Sequence, residues 1–177
     1  MIISLEDAQL IDGNVTQNDL DAYEQMVRQI TNNKFQNTRI RYFGFSTANG
    51  NEINLGTPPE WLRVGETIEV SDSDVNDGLY TIQAINETTL TVSSEQLLTG
   101  TFAKAFVTKI EYPADIRMGV EGLIRYNAKM GSKVGIKSET IARMSVTYYD
   151  VNANDNSQGF PAAKLNFLKK YEKMRWG

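Results

Sequence analysis

The sequence predicts an α+β fold. It would be a small helical core, with three to four helices plus a hairpin or long loop, interrupted by an inserted small antiparallel β-barrel or sandwich. Two stretches, near residues 16–34 and 113–131, carry apolar residues at helical spacing. Between them, short β-rich runs alternate with turn clusters. The predicted domains are therefore 1–36 with 112–177 for the helical core, and 37–111 for the β-domain.

The stretch Pro113–Gly131 has signals for both ends of a helix. Pro113 suits the first turn, where its missing N–H is no loss, and Asp115 places negative charge near the positive end of the helix dipole. Gly131 can end the helix. One apolar face is formed by Ile116, Val120, Leu123, Ile124 and Ala128. We expect this face to pack against the helix at 16–34, for which Thr16 is the predicted N-cap and Asp19 completes an imperfect capping box.

The middle of the chain predicts five or six short strands, split by turns that include Asn76-Asp77-Gly78, which fits a tight hairpin. Thr57-Pro58-Pro59 marks a connection, and Trp61 beside it is the expected large core residue. Residues 132–151 favour an extended hairpin or long loop, and 150–159 a polar loop. Pro161 then begins a last helix that leads into a basic tail.

Composition argues against an enzyme and predicts no catalytic residues and no cofactor. The 177 residues contain no cysteine and no histidine, which removes the thiolate, the commonest general base and the commonest transition-metal ligand. No apolar run is long enough to cross a bilayer, and the N-terminus lacks a basic region typical of a secretory signal. We therefore expect no membrane association.

A metal site is not predicted either. Asp72 to Gly78 resembles the start of a calcium loop, but the position that requires glycine holds Asp77 and the position of the bidentate carboxylate holds Gln83. Pairs such as Glu66 and Glu69 alternate on exposed strand positions, where solvation explains them.

Charge is unevenly distributed along the chain. Residues 1–36 hold six acids and two bases, residues 37–110 nine acids and five bases, and residues 111–177 seven acids and eleven bases. An acidic front and a basic back allow head-to-tail association of copies or docking to an acidic partner. Simple solvation of three surfaces explains the same pattern.

Two groups of residues are the candidate interaction sites. The first is the basic–aromatic tail: Lys169, Lys170, Lys173, Arg175 and Trp176. It can anchor into a protein surface, grip nucleic acid, or simply place cations at the negative end of a helix. The acidic remainder of the chain argues against free DNA as the ligand. The second is the polar flank of the 113–131 helix, with Arg117, Arg125 and Lys129, for which solvated surface is the alternative.

Several motifs resemble the head–tail connector proteins of tailed bacteriophages, also called adaptor or head-completion proteins. They are QNDLDAYEQMVRQITNNKF, ADIRMGVEGLIRYNAKMG with Tyr126-Asn127, the Ser138-Glu139-Thr140-Ile141 and Ser145-Val146-Thr147-Tyr148 segments, and FPAAKLNFLKKYEKMRWG. The resemblance covers about residues 1–36 and 111–177. Simpler members join the two helices by a short loop, so the β-rich stretch is a departure.

The resemblance implies a structural virion protein of the phage neck, made in the host bacterial cytoplasm. Its implied partners are the portal protein, the next neck or tail-completion protein, and copies of itself in a ring, usually of twelve. Such a ring extends the DNA channel, and DNA passes through without sequence-specific binding.

A binding module is the alternative function. Trp61, Tyr42, Phe43 and Tyr80 of the β-domain would recognise a capsid surface or a glycan if two or more of them lay exposed on one concave face. Buried aromatics would instead make the β-domain a spacer.

Overall fold

The computed structural model describes residues 1–94, 96–130, 138–141, 144–147, 156–157 and 159–174. The chain forms two compact units. The barrel unit is Lys34–Glu111, and the helical unit combines Ile2–Asn33 with Tyr112–Gly177. Among the described residues, no helix has the length and apolar character needed to cross a membrane.

The barrel unit is a closed antiparallel barrel of six strands in the order β1-β2-β5-β4-β3-β6. Their bounds are β1 Gln36–Ala48, β2 Glu52–Asn54, β3 Thr67–Ser71, β4 Gly78–Asn86, β5 Thr89–Val92 and β6 Gly100–Ile110. The two longest strands, β1 and β6, pair along most of their lengths, with Phe43 opposite Phe106, and this pairing closes the sheet. Closure leaves no open sheet edge of the kind that promotes aggregation.

Inward-facing residues of all six strands fill the barrel. Side chains alternate across a strand, so every second residue points inward. The buried cluster also includes residues of the connecting loops. Its members are Phe45, Ile53, Leu55, Leu62, Ile68, Val70, Ile82, Leu90, Val92, Leu97, Ala105 and Val107.

The predicted fold class is wrong. The fold is mixed α and β, but the dominant architecture is the closed six-stranded barrel, accompanied by four α-helices in the described part of the chain, not a small helical core with a small inserted β-domain. The physical reason is the β1–β6 pairing, which joins residues far apart in sequence and gives the strands a complete apolar core of their own.

Two local predictions inside the barrel unit are also wrong. Trp61 is 65% exposed, and its neighbour Leu62 is buried instead, because a turn from Pro59 directs Leu62 into the core. The β3–β4 connection is a loop of Asp72 to Asp77 and not a tight turn at Asn76-Asp77-Gly78. Asp72 and Asp74 both have positive φ within it.

The helical unit contains α1 (Leu5–Gln9), α2 (Gln17–Thr31), α3 (Ala114–Met130) and α4 (Ala162–Leu165), followed by a 3-10 helix (Asn166–Tyr171). Its short strands form two antiparallel pairs: β7 (Ser138–Ile141) with β8 (Met144–Thr147), and β9 (Asn156–Ser157) with β10 (Phe160–Pro161). The β7–β8 pair lies within the segment for which a hairpin or long loop is predicted.

The two long predicted helices are confirmed. Thr16 caps α2 through a complete capping box with Asp19, and Asn32 ends it with φ of 47°. Helix α3 buries Ile116, Val120, Leu123 and Ile124 of its predicted apolar face, whereas Ala128, the fifth predicted member, is exposed. The last helix is shorter than expected, because the chain tightens into the 3-10 helix after Leu165.

Candidate functional site

The candidate site is the surface of the helical unit built by the C-terminal segment, defined as Phe160–Met174. Leu165 and Leu168 are buried and fix this segment to the unit. Phe167 lies directly against Gly119 of α3, where a β-carbon would overlap its ring. The absence of a side chain at Gly119 therefore lets the segment approach α3 closely.

The first turn of α3 holds the segment through Asp115. The Lys170 Nζ lies 2.6 Å from Asp115 Oδ2, and the Tyr171 hydroxyl donates to Asp115 Oδ1 at 2.6 Å. These bonds to Lys170 and Tyr171 hold the pKa of Asp115 below its usual value. The same contact with Asp115 raises the pKa of Lys170 and of Tyr171. Charged Asp115 with charged Lys170 is thus the favoured state at neutral pH.

The C-terminal end of α2 holds the segment as well. The Lys173 N–H donates to the Thr31 carbonyl at 2.8 Å, and the Asn32 amide donates to the Met174 carbonyl at 3.2 Å. The last carbonyls of a helix lack partners within the helix. The segment therefore supplies a donor to the end of α2, and its own backbone path becomes fixed.

Residues that carry the family resemblance meet at the start of the C-terminal segment. The Phe160 ring lies 5.9 Å from the Tyr126 ring and 6.2 Å from the Tyr23 ring, measured between centroids. Lys164 Nζ lies 5.9 Å from the centre of the Tyr126 ring. Tyr23 bonds Asn127, and burial together with the charge of Asp19 raises the pKa of Tyr23. Side chains of α2, α3 and the C-terminal segment therefore form one cluster.

The predicted tail residues have different environments. Lys169 and Lys173 present exposed side chains, whereas Lys170 is paired with Asp115. Met174, which sequence reasoning did not select, is 80% exposed. Arg175 and Trp176 lie outside the described residues.

The predicted flank of α3 is partly engaged within its own unit. Arg117 bonds Asp7 at 2.8 Å and Glu121 at 3.2 Å, and Arg125 lies 3.8 Å from Glu121. Lys129 is exposed. Exposed ion pairs of this kind contribute little to stability. The Arg117–Asp7 pair also shows that the acidic front and basic back of the chain meet within one unit.

The sequence does not reveal that Asp115 binds Lys170 and Tyr171 of the C-terminal segment. It gave Asp115 a role at the helix dipole only. The contact joins residues 115 and 170, and no local pattern marks either residue as the other's partner. Asn32 and Asn33, at the C-terminal end of α2, also bond the C-terminal segment, and no local pattern marks these contacts.

The aromatic candidates of the barrel unit divide into two kinds. Phe43 is 71% exposed and Trp61 is exposed as well, whereas Tyr42 and Tyr80 pack against the barrel core. A surface groove of about 440 Å³ lies beside β1, lined by Gly44, Phe45, Ser46, Asn54, Leu55, Gly56, Thr101 and Ala103. None of the four candidates lines it.

The two carboxylates that line a cavity are engaged in local bonds. A cavity of about 140 Å³ in the helical unit is lined in part by Asp12 and Asp19, but Asp12 bonds Asn14 and Asp19 caps α2. Within the described residues, no group of three or more carboxylates is arranged to hold a metal ion.

Comparison of the chain with models of known protein families and with curated proteins finds no match.

Proposed function

We propose that this protein is a structural virion protein that forms a ring beneath the portal, joins phage head to tail and extends the DNA channel. One observation carries the proposal. The sequence segments that resemble phage connectors, although far apart along the chain, contribute Tyr23, Tyr126, Asn127 and Phe160 to a single side-chain cluster. That meeting supports a shared structural role for them.

The C-terminal segment suits a contact surface. Its backbone is fixed by Thr31 and Asn32, and Tyr171 is fixed by Asp115, so the exposed cations Lys169 and Lys173 project from a positioned support. A preordered surface loses less conformational entropy on binding than a free tail would. Its partners under this proposal are an acidic surface of the portal or of a neighbouring subunit, with the next neck protein on the completed ring. DNA passes through without sequence-specific contacts.

Particle mass tests the proposal. The purified protein is mixed with portal-bearing heads that lack it, taken from the phage that encodes this chain, and the bound copies per head are counted. We expect a fixed number of copies at the portal vertex and tail joining only after binding. Heads that accept tails without this protein, or that never bind it, would contradict the proposal.

Charge reversal tests the surface more cleanly than truncation. Truncation after Leu168 would also remove the Tyr171–Asp115 and Lys173–Thr31 bonds, which hold the helical unit together. Lys169→Glu with Lys173→Glu changes exposed side chains only. We expect head binding to fall at least about tenfold, because like charges across an interface are strongly unfavourable. Lys104→Glu, an exposed cation of the barrel unit, is the control and should bind heads normally.

A second candidate function is recognition of a capsid surface or a glycan by the barrel unit. It is supported by the exposure of Phe43 and Trp61, although neither lines the groove beside β1. Binding of the whole protein to heads without portal would be measured for wild type and for Phe43→Ser with Trp61→Ser. Loss of binding in the variant supports this function. It is contradicted if the variant binds as well as the wild type, or if the wild type does not bind.

A further inference from the structure

Three loops at one end of the barrel form a single connected surface. This barrel tip consists of residues 49–51, 72–77 and 93–99, of which Glu95 lies outside the described residues. Strands β1, β3 and β5 all run toward this end. The Leu97 N–H donates to the Gly50 carbonyl at 2.9 Å, and the buried Asn76 amide donates to the Leu98 carbonyl and accepts from its N–H, both at 2.9 Å. The Asn76 side chain therefore pairs with the Leu98 backbone through one donor and one acceptor, as the backbone of a neighbouring strand would.

The barrel tip displays apolar side chains that the fold does not require. Val75 is 55% exposed and Leu98 is 58% exposed. Their two loops are joined at this point, because the side chain of Asn76, the residue after Val75, bonds the backbone of Leu98. Paired exposed apolar residues on a braced loop are typical of an interaction surface.

The loop that carries Val75 is held in an unusual conformation. Asp72 and Asp74 have φ of 62° and 66°, a region that costs a non-glycine residue of order 1 kcal/mol. The Asp77 carboxylate accepts the N–H groups of Asp72 and Ser73 and the Ser73 hydroxyl, which stabilises this conformation. These hydrogen bonds therefore hold the backbone at Val75 in one defined conformation.

Charge indicates the partner. The sequence of the three loops contains no lysine or arginine, and Asp72 and Asp74 are exposed beside Val75. The C-terminal segment has the complementary chemistry. Lys169, Lys173 and the apolar Met174 are exposed there, together with one acid, Glu172. One surface is apolar with an acidic rim, and the other is apolar with two exposed lysines against one exposed glutamate.

We propose that the barrel tip of one copy docks on Lys169–Met174 of a second copy. Val75 and Leu98 contact Met174, and Asp72 and Asp74 face Lys169 and Lys173. The two surfaces differ, so the contact is heterologous and can close into a ring. This inference rests on the proposed ring and names the surfaces that join its subunits.

Cross-linking in the cysteine-free chain tests the contact. Val75→Cys and Met174→Cys are combined in one chain and treated with a short bis-maleimide, both in solution at high protein concentration and on portal-bearing heads. We expect a ladder of covalent multimers. A mixture of the two single variants should give the heterodimer in excess over either homodimer. Val64→Cys with Met174→Cys is the control, because Val64 is an exposed apolar residue outside the barrel tip.

Charge variants test the energetics. Asp72→Asn with Asp74→Asn keeps a residue type that tolerates positive φ. It should lower both the ladder yield and the association constant at least about fivefold, and high salt should lower the wild-type association as well. Val75→Ser with Leu98→Ser should have a similar effect, and circular dichroism verifies that each variant is folded.

The outcomes separate this inference from the proposed function. No ladder in either setting, an equal ladder in the Val64 control, or unchanged association of folded tip variants would overturn the inference. If tip variants still assemble normally on heads, the tip contact is wrong and the connector role stands. If the wild type never binds heads, the connector role fails whatever the cross-linking shows.

Discussion

The barrel unit and the helical unit are held together in different ways. The barrel unit closes through continuous strand pairing around one apolar cluster, to which all six strands contribute. The helical unit also buries apolar residues, but its C-terminal segment depends on a few specific bonds to Asp115, Thr31 and Asn32. A barrel is therefore sensitive to lost volume in its core, whereas the C-terminal segment is sensitive to single polar or steric changes at its surface.

The largest expected effect is in the barrel core. Leu90 is fully buried and lies opposite Ile53 in the β2–β5 pair. Leu90→Ala should lower the free energy of unfolding by about 2–5 kcal/mol through lost burial and a residual cavity. Urea denaturation measures the loss, and amide exchange should place it in the barrel unit. Val64→Ala, at an exposed position, should change stability by less than about 0.5 kcal/mol. Equal losses in both variants would contradict the comparison.

A polar change in the barrel unit comes next. Asn76→Ala removes both bonds to Leu98 and leaves a backbone donor without its partner. We expect a loss of about 2 kcal/mol in urea denaturation, less than the core variant because water can reach part of this loop. Asn86→Ala, at an exposed strand end, is the matched control and should be near neutral. A loss of stability as large as that of Leu90→Ala would show that the barrel depends on the Asn76–Leu98 hydrogen bonds as much as on its apolar core.

Two glycines of α3 give a steric test of the helical unit. A β-carbon at Gly119 would overlap the Phe167 ring, whereas one at Gly122 would meet no heavy atom within 4 Å. Gly119→Ala should destabilise by about 1–3 kcal/mol, even though alanine favours the helix, because Phe167 must move. Gly122→Ala should stabilise by up to about 1 kcal/mol. Thermal unfolding gives the sign, and equal signs would refute the close approach of Phe167.

The smallest effect is electrostatic and depends on pH. The lowered pKa of Asp115 means that its charged form stabilises the folded segment above its unfolded pKa of about 4, and that this contribution is lost as pH falls through the folded value. At pH 7, Asp115→Asn should speed amide exchange in the 3-10 helix, and the difference from wild type should shrink and vanish as the solution becomes more acidic. Glu172→Gln, an exposed charge in the same segment, should show no such pH dependence.

Local features were predictable from the sequence and distant pairings were not. Helix α2 and its Thr16–Asp19 cap depend on residues within one turn, so their pattern sufficed. Closure of the barrel depends on pairing of β1 with β6, and that register is decided by how all the strands pack. Trp61 was misplaced for a similar reason. The size and hydrophobicity of Trp61 favour burial, but the turn at Pro59 directs Leu62 into the core, and Trp61 is exposed.

The candidate site shows the same limit. The sequence shows the cluster of cations that contains Lys169 and Lys173, and both are exposed, but their role as contact residues stays a prediction. The sequence could not separate them from Lys170, whose partner Asp115 is distant along the chain. The barrel tip was overlooked because its exposed Val75 and Leu98 look like ordinary strand residues until the loops are folded.

The hydrogen bond from the Glu111 N–H to the Phe35 carbonyl, 2.9 Å long, has a consequence for the order of folding. Once the barrel has formed, the two points at which the chain enters and leaves it are adjacent. The connection between α2 and α3 then behaves as a short loop instead of a long one. Each halving of a loop's length lowers the free-energy cost of closing it by about 0.6 kcal/mol. The formed barrel shortens the α2–α3 connection by roughly four halvings, so this cost falls by about 2 kcal/mol. A barrel that folds first would therefore accelerate assembly of the helices, and Leu90→Ala should slow refolding of both units.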